Sequence, residues 1–223
     1  MKLIEYPDQE MMMIDLANQL AGELNTHLMT HDHASFAVPG GSTPGPVFDA
    51  LCAADLRWEK VHVLLTDERW VPETSDRSNT RLVRERLLTN RAAMAHFVPL
   101  YAEAETPEDA IDDLIEGLKP ELPISVLLMG MGADCHVASL FPGADRLADA
   151  LESDAAPLMA MRAPGAPEPR ITLTAPVLEQ AMSKHILITG HEKREALEKA
   201  RGLRRWDAPV RAVWNDATVH WAA

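Results

Sequence analysis

From residue 9 to residue 30, QEMMMIDLANQLAGELNTHLMT places Met12, Ile14, Leu16, Leu20, Leu24 and Leu28 at spacings that suit one face of a 3.6-residue helix. The pattern predicts an amphipathic first helix. Phe36 to Val38 then read as a short apolar strand, and PGGSTPGP follows at once. Ser42 or Thr43 is placed to cap a helix running to about Ala54, with Pro44 tolerated in its first turn. Residues 60–66 (KVHVLLT) form a β-branched strand, 78–88 a helix with Leu82, Leu87 and Leu88 on its buried side, and 97–101 a third short strand. Thr106 caps a helix to about Leu118, which Pro120 and Pro123 close before the apolar run 124–131 (ISVLLMGM), a buried strand.

The second half repeats the style. Residues 157–162 and 171–174 read as strands around the Pro- and Gly-rich loop 163–169, and 176–182 as a helix. HILIT (185–189) is a buried strand and 192–201 a helix. Residues 209–214 and 217–221 are expected to finish the chain as strands joined by a turn at Asn215-Asp216, adding a few antiparallel C-terminal strands. Strands alternating with helices imply an α/β fold with right-handed crossovers and a mainly parallel sheet covered on both faces.

The 223 residues fit one compact domain, 1–223, and 47% hydrophobic with 25% charged residues is ordinary for a soluble globular protein. No apolar run approaches the ~20 residues of a membrane-spanning helix. The N-terminus, MKLIEYPDQE, lacks the apolar core of an export signal. Cys52 and Cys135 have neither metal-ligand spacing nor a dense disulfide pattern, which points to a reduced, cytoplasmic protein. The formal net charge of −13 argues against nucleic acid and anionic membrane surfaces as partners. A small anion is still possible, provided that basic groups converge locally.

Four constellations could supply such a place. Gly132 to Gly143 (GADCHVASLFPG) directly follows the 124–131 strand, so Asp134 and His136 are delivered to a strand's carboxyl end, where open α/β sheets bind ligands. An imidazole with a carboxylate to fix its tautomer is a candidate general base. A Cys135 nucleophile is a weaker alternative, because adjacent side chains seldom reach the same reacting atom. A zinc site is not expected here, with one histidine and no second ligand suitably spaced. PGGSTP (39–44) offers the N–H groups of Gly40 and Gly41, the hydroxyls of Ser42 and Thr43 and a helix N-terminus as a phosphate cradle, although it is neither a Walker A loop nor GxGxxG. LTDERWVP (65–72) puts Asp67, Glu68 and Arg69 at another strand end, where a carboxylate could orient sugar hydroxyls and Arg69 could clamp an oxyanion. Arg170 opens a strand, and Lys193 sits in a first helical turn, opposed to the dipole unless an anion lies between. Each of these also has a plain explanation as a cap, a turn or a solvated charge. His27, His31, His33 and His62 show no organised spacing and read as surface or packing residues.

PGGSTP, LTDERWVP, SNTRLVRERLL, GMGADCHVASLFPG, PRITLT and TGHEKREAL occur in one order across about 36–214. Together they resemble the 6-phosphogluconolactonase family, relatives of the glucosamine-6-phosphate deaminases. The resemblance implies a Rossmann-like three-layer α/β/α sandwich, and hydrolysis of 6-phospho-D-glucono-1,5-lactone to 6-phosphogluconate in the oxidative pentose phosphate pathway, with no metal or cofactor. It implies His136 as base, Asp134 as its partner, Arg69 or a backbone N–H of the Gly130–Gly132 region at the oxyanion, and Asp67 at a sugar hydroxyl. The phosphate falls to Gly40, Gly41, Ser42, Thr43, Arg170 and Lys193. The small-molecule lactone is the expected partner, and a monomer or small homo-oligomer the expected state. The chain departs from the family's Asp-Gly-His-Thr at Cys135 and Val137. A positive φ at Cys135 would cost on the order of 1–2 kcal/mol. Two other readings carry their own marks. A deaminase would have a glutamate where Phe141 stands, and a non-catalytic sugar-phosphate binder would keep the cradle and lose turnover.

Overall fold

The computed structural model describes all residues, 1–223. Strand β1 (Lys2–Glu5) leads to helix α1 (Gln9–Leu28), whose first turn is capped by the Asp8 carboxylate accepting from the Met11 N–H at 2.8 Å. Met12, Leu16, Leu20 and Leu24 of α1 are fully buried, whereas Ile14, expected on that face, is 51% exposed. Ile14 lies two positions from both Met12 and Leu16, which turns it away from a helix's buried stripe. Then come β2 (Ala34–Val38), α2 (Gly45–Leu51), β3 (Val61–Leu65), β4 (Asp67–Arg69), α3 (Asn79–Arg86), β5 (His96–Val98) and α4 (Ile111–Leu118). The chain continues through β6 (Val126–Gly130), α5 (Leu147–Ala150), β7 (Leu158–Met161), β8 (Arg170–Leu173), α6 (Ala175–Glu179), β9 (Ser183–Thr189), α7 (Gly190–Ala200) and β10 (Thr218–Ala222).

Seven strands form one sheet in the order β1-β10-β9-β6-β2-β3-β5. Every pairing in it is parallel. β2 and β6 are buried along their interiors and are apolar apart from Ser35, as suits strands covered on both faces. From β2 the chain builds outward to β3 and β5 on one side; from β6 it builds to β9 and β10 on the other. The order therefore reverses between β2 and β6, which opens a crevice at their carboxyl ends. Three loops meet there, after β2, β6 and β9, and β3 adds a fourth.

The antiparallel strands expected at the C-terminus lie elsewhere. β10 pairs in parallel with both β9 and β1, and a separate antiparallel sheet forms from β4, β8 and β7. Pro209–Ala212, read as a strand, is a 3₁₀ turn. Its Val210 and the following Val213 are both buried and three apart, the repeat of a 3₁₀ turn and not of a strand. Its Val210 N–H donates to the Cys135 carbonyl at 3.0 Å, which props the motif loop from below. β1 was too short and too polar in pattern to be legible: only Leu3 and Ile4 are half buried, as suits an edge strand.

Candidate active site

The crevice is a cavity of about 280 Å³ lined by the 39–44 loop, Asp67, Arg69, Asn79, Gly130 to Gly132, His136, Ala138, Arg170, Leu187 and Lys193. Nine of the ten residues singled out from the sequence face it: Gly40, Gly41, Ser42, Thr43, Asp67, Arg69, His136, Arg170 and Lys193. The tenth, Asp134, stands behind His136. Their convergence follows from topology, since each sits just past the carboxyl end of a strand or on the small sheet that flanks those ends.

His136 and Asp134 form a tight pair. The imidazole Nδ1–H donates to Asp134 Oδ1 at 2.6 Å, and the His136 backbone N–H donates to the same oxygen at 3.2 Å. A carboxylate can only accept, so the bond fixes the tautomer and leaves Nε2 as the nitrogen open to the cleft. The hydrogen bond from His136, working against partial burial, holds the Asp134 carboxyl below its ordinary range. The pair needs space that only glycine leaves. A β-carbon at Gly132 would fall 2.2 Å from His136 Nδ1 and 2.5 Å from Asp134 Oδ1. The Phe141 ring lies 4.2 Å from the imidazole and walls its other side.

Cys135, between them, has φ of +66°, the left-handed conformation that favours glycine. Its thiol is not aimed at the site. Cys135 is buried, its Sγ donates to the Ala196 carbonyl at 3.4 Å, and burial pushes its pKa up, all contrary to a nucleophile. Ala138 is a second non-glycine residue in the left-handed region, at φ +49°, and the sequence offered no sign of it. Two such residues within four positions store local strain where the loop turns into the cleft.

The cationic side of the cleft is built by β4 and β8. Their antiparallel register sets Arg69 directly opposite Arg170. Like charges facing across strands are unfavourable unless an anion lies between them. Both guanidinium groups have a buried Nε without a partner, and burial lowers the pKa of Arg170 from its ordinary value. Arg69 is steered by donating Nη1 to the Arg77 carbonyl. Lys193, in the first turn of α7, has no carboxylate within salt-bridge distance. Across the cleft, the N–H groups of Gly40, Gly41, Ser42 and Thr43 donate to no protein acceptor, and Gly41 has φ of +84°. Four free donors in a row make a nest for an anion.

Asp67 is more occupied than a plain hydroxyl-binding residue. Its carboxylate accepts from Ser139 Oγ at 2.5 Å and from Thr66 Oγ1 at 3.1 Å, and lies 3.8 Å from Arg170 Nη1. It thereby ties the 138–140 turn to the arginine, with lone pairs still left toward the cleft. Its neighbour Glu68 is a structural carboxylate. It is fully buried and accepts from the N–H groups of Arg69, Asn79 and Thr80 and the hydroxyls of Ser78 and Thr80. Those bonds close the N-terminus of α3 and seat Asn79, whose amide donates to the Asp67 carbonyl at 2.9 Å. Asn79 is the lining residue that sequence reasoning missed. Its only signal was its place in SNT at the start of α3. Gly40 accommodates it, because a β-carbon there would lie 1.9 Å from the Asn79 amide oxygen.

Relatives fix the family. Residues 7–221 match the family model described as glucosamine-6-phosphate isomerases/6-phosphogluconolactonase. A 6-phosphogluconolactonase of Rhizobium meliloti strain 1021 is 41% identical over 215 residues, covering 93% of this chain and 92% of its own. The crystal structure of a 6-phosphogluconolactonase from Shewanella baltica OS155 superposes with a TM-score of 0.96 at 32% identity, covering 100% of this chain and 97% of that one. A monomeric glucosamine-6-phosphate deaminase, with a TM-score of 0.78 at 16% identity and covering 100% of this chain and 97% of its own, shares the fold alone. With its switch-point cleft, its Asp134–His136 pair and near-complete coverage by these relatives, the chain belongs to the glucosamine-6-phosphate isomerase/6-phosphogluconolactonase family.

Proposed function

We propose that this chain is a 6-phosphogluconolactonase, hydrolysing 6-phospho-D-glucono-1,5-lactone to 6-phospho-D-gluconate with His136 as general base. One observation carries the reading: a histidine with a single open ring nitrogen shares a cleft with two arginines that face each other, Arg170 having only a 3.8 Å contact with the already hydrogen-bonded Asp67 carboxylate. The substrate phosphate is held by the 40–43 nest together with Arg170 and Lys193, and Arg69, opposite Arg170, joins that clamp. Binding energy at this remote group positions the lactone carbonyl. His136 Nε2 takes a proton from water as its oxygen bonds to C1, and Asp134 steadies the imidazolium. The Met131 N–H has no protein acceptor and lines the cleft, which supports a backbone donor for the oxyanion in place of Arg69. When the C1–ring oxygen bond breaks, the imidazolium returns its proton to the leaving oxygen, and the new acid ionises to solvent.

Phe141 argues against the deaminase reading. It stands where that reaction would need a glutamate, packing on His136 with the Arg170 guanidinium 5.2 Å above its ring. The cleft draws on residues from Pro39 to Lys193, which supports one domain over residues 1–223, as a monomer or a small homo-oligomer. No helix is long and apolar enough to cross a membrane, and both cysteines are free and buried, which suits a cytoplasmic enzyme. The test is 6-phosphogluconate formation from fresh lactone, read through a dehydrogenase couple over the spontaneous rate. Acceleration is expected, with Arg170→Ala and Lys193→Ala each raising KM on the order of tenfold or more, as for loss of one charged hydrogen bond. Tight binding of 6-phosphogluconate without acceleration would establish the non-catalytic binder instead.

A further inference from the structure

At the opposite, amino-terminal ends of the strands, the fold gathers a second set of donors far from the cleft. His33 immediately precedes β2, His62 is the second residue of β3, and Glu121 ends the 3₁₀ turn that leads toward β6. Separations of 29 and 59 residues hid this cluster from any reading of spacing. Register brings it together, because β2 lies between β3 and β6. His62 Nδ1 is 2.9 Å and 3.0 Å from the two Glu121 oxygens, and His33 Nε2 is 3.5 Å from Oε2. The three donor atoms lie within 4.8 Å of one another. The His33 and His62 rings stack at 4.5 Å.

Glu121 is 5% exposed, and its only ion-pair partners are these two imidazoles. A buried carboxylate is costly without a positive charge beside it. An imidazole supplies that charge only by holding an extra proton, whereas a divalent cation supplies it with both rings neutral. The turn that carries Glu121 is also tied to the sheet through its main chain. Ser35 Oγ donates to the Glu121 carbonyl at 2.8 Å, and Ser125 Oγ accepts from the Ser35 N–H at 3.0 Å. Two imidazole nitrogens and one carboxylate oxygen form a zinc donor set that leaves a fourth position to water. Metal–donor distances near 2.0–2.2 Å in a tetrahedron set donors about 3.3–3.6 Å apart, near the 2.9 Å and 3.5 Å that separate the imidazole nitrogens from Glu121.

We infer that His33, His62 and Glu121 form a binding site for one zinc-like divalent cation, which clips together the starts of β2 and β3 and the turn before β6. On binding, His62 Nδ1 offers its lone pair to the metal, and its ring proton moves to Nε2. The nearby His27–His31 pair, stacked at 3.9 Å on the exposed end of α1, is the rival landing place. The experiment is a zinc titration of untagged, chelator-stripped protein against a chromophoric competitor, paired with the visible spectrum of the cobalt(II) form. One equivalent should bind at micromolar affinity or tighter, with a tetrahedral cobalt spectrum. His62→Ala, His33→Ala and Glu121→Gln should each weaken binding at least tenfold, while His27→Ala/His31→Ala leaves it within about twofold. Zinc should raise the Tm of the wild type and not that of His62→Ala; metal-free melts show which variants are folded. Binding that survives in folded His62→Ala and His33→Ala, or that is lost in the His27/His31 double variant, overturns the site.

Discussion

His136 and His185 are each joined to a carboxylate through one ring nitrogen, at 2.6 Å from Asp134 and 2.8 Å from Glu23. What the second nitrogen meets separates them. In His136 it opens on a cleft. In His185, Nδ1 meets His220 Nε2 at 3.0 Å, His220 Nδ1 meets the Tyr6 hydroxyl at 2.9 Å, and that hydroxyl donates to Asp15. His185 and His220 are buried with every ring nitrogen partnered, between α1, β9 and β10. Burial first, then the neighbouring His185, pushes His220 down to about 4. On Glu23, burial alone would raise the pKa, but hydrogen bonds from His185 and Ser183 carry it down to about 2. A histidine–carboxylate pair is thus no mark of catalysis by itself. The unpartnered ring nitrogen and the glycine-cleared space around His136 are what set it apart, and they underlie its proposed role as base.

Exchanging the perturbations is the sharpest way to break this contrast. His136→Ala should lower kcat by ~10²- to 10⁴-fold while leaving Tm in place. His185→Ala should leave kcat near wild type and cost about 3 kcal/mol of stability, since Glu23 and His220 lose a buried partner. In a chain of this size that is roughly 6–12 °C in Tm. The opposite assignment of activity and stability losses would dissolve the comparison.

Acid should act on the buried pair first. The unfolded chain takes up a proton at the His220 position near 6.5, the folded chain only near 4. Between those values the unfolded state binds more protons, so stability falls as pH drops from 6.5 to 4 and the loss levels off below. Full burial of His220 makes this worth at most about 3 kcal/mol. Glu23 contributes in the same direction but at lower pH, with stability present above 4.5 and lost as pH falls toward 2. Melting curves across this range should show both limbs, with His220→Phe flattening the upper one alone. An unchanged upper slope in that variant would remove His220 from the account.

Smaller effects grade the active pair. Asp134 is 53% exposed, so Asp134→Asn should lower kcat by roughly 10- to 100-fold, short of a fully buried catalytic aspartate. A loss as large as that of His136→Ala would show that it does more than orient. Cys135→Gly relieves the left-handed strain but loosens the unfolded chain and removes a packed thiol, so stability should move by less than about 1 kcal/mol. A change of several kcal/mol, measured by denaturant melts, would mean that the loop depends on that side chain.

The contrast also sorts what could be read in advance. His136 was legible because its partner is two residues away and its loop follows an unmistakable buried strand. The 39–44 loop and Arg170 were legible in the same local way. His185 draws on residues 6, 23 and 220, and Asn79 on Glu68 and Gly40, pairings that no spacing rule reaches. The C-terminal expectation failed for a related reason. PVRAVW has strand-forming residues, but its buried valines follow a three-residue repeat set by packing beneath Cys135.

Gly40 and Gly132 hold the imprint of this site in negative. The volume each β-carbon would fill is already taken by Asn79 in one case and by the His136–Asp134 pair in the other. A single methyl group at position 132 could therefore silence the enzyme with every functional group still present, simply by evicting the imidazole from its seat. Part of the chemistry is encoded as missing atoms, and a search confined to reactive side chains would pass over the two positions that make room for them.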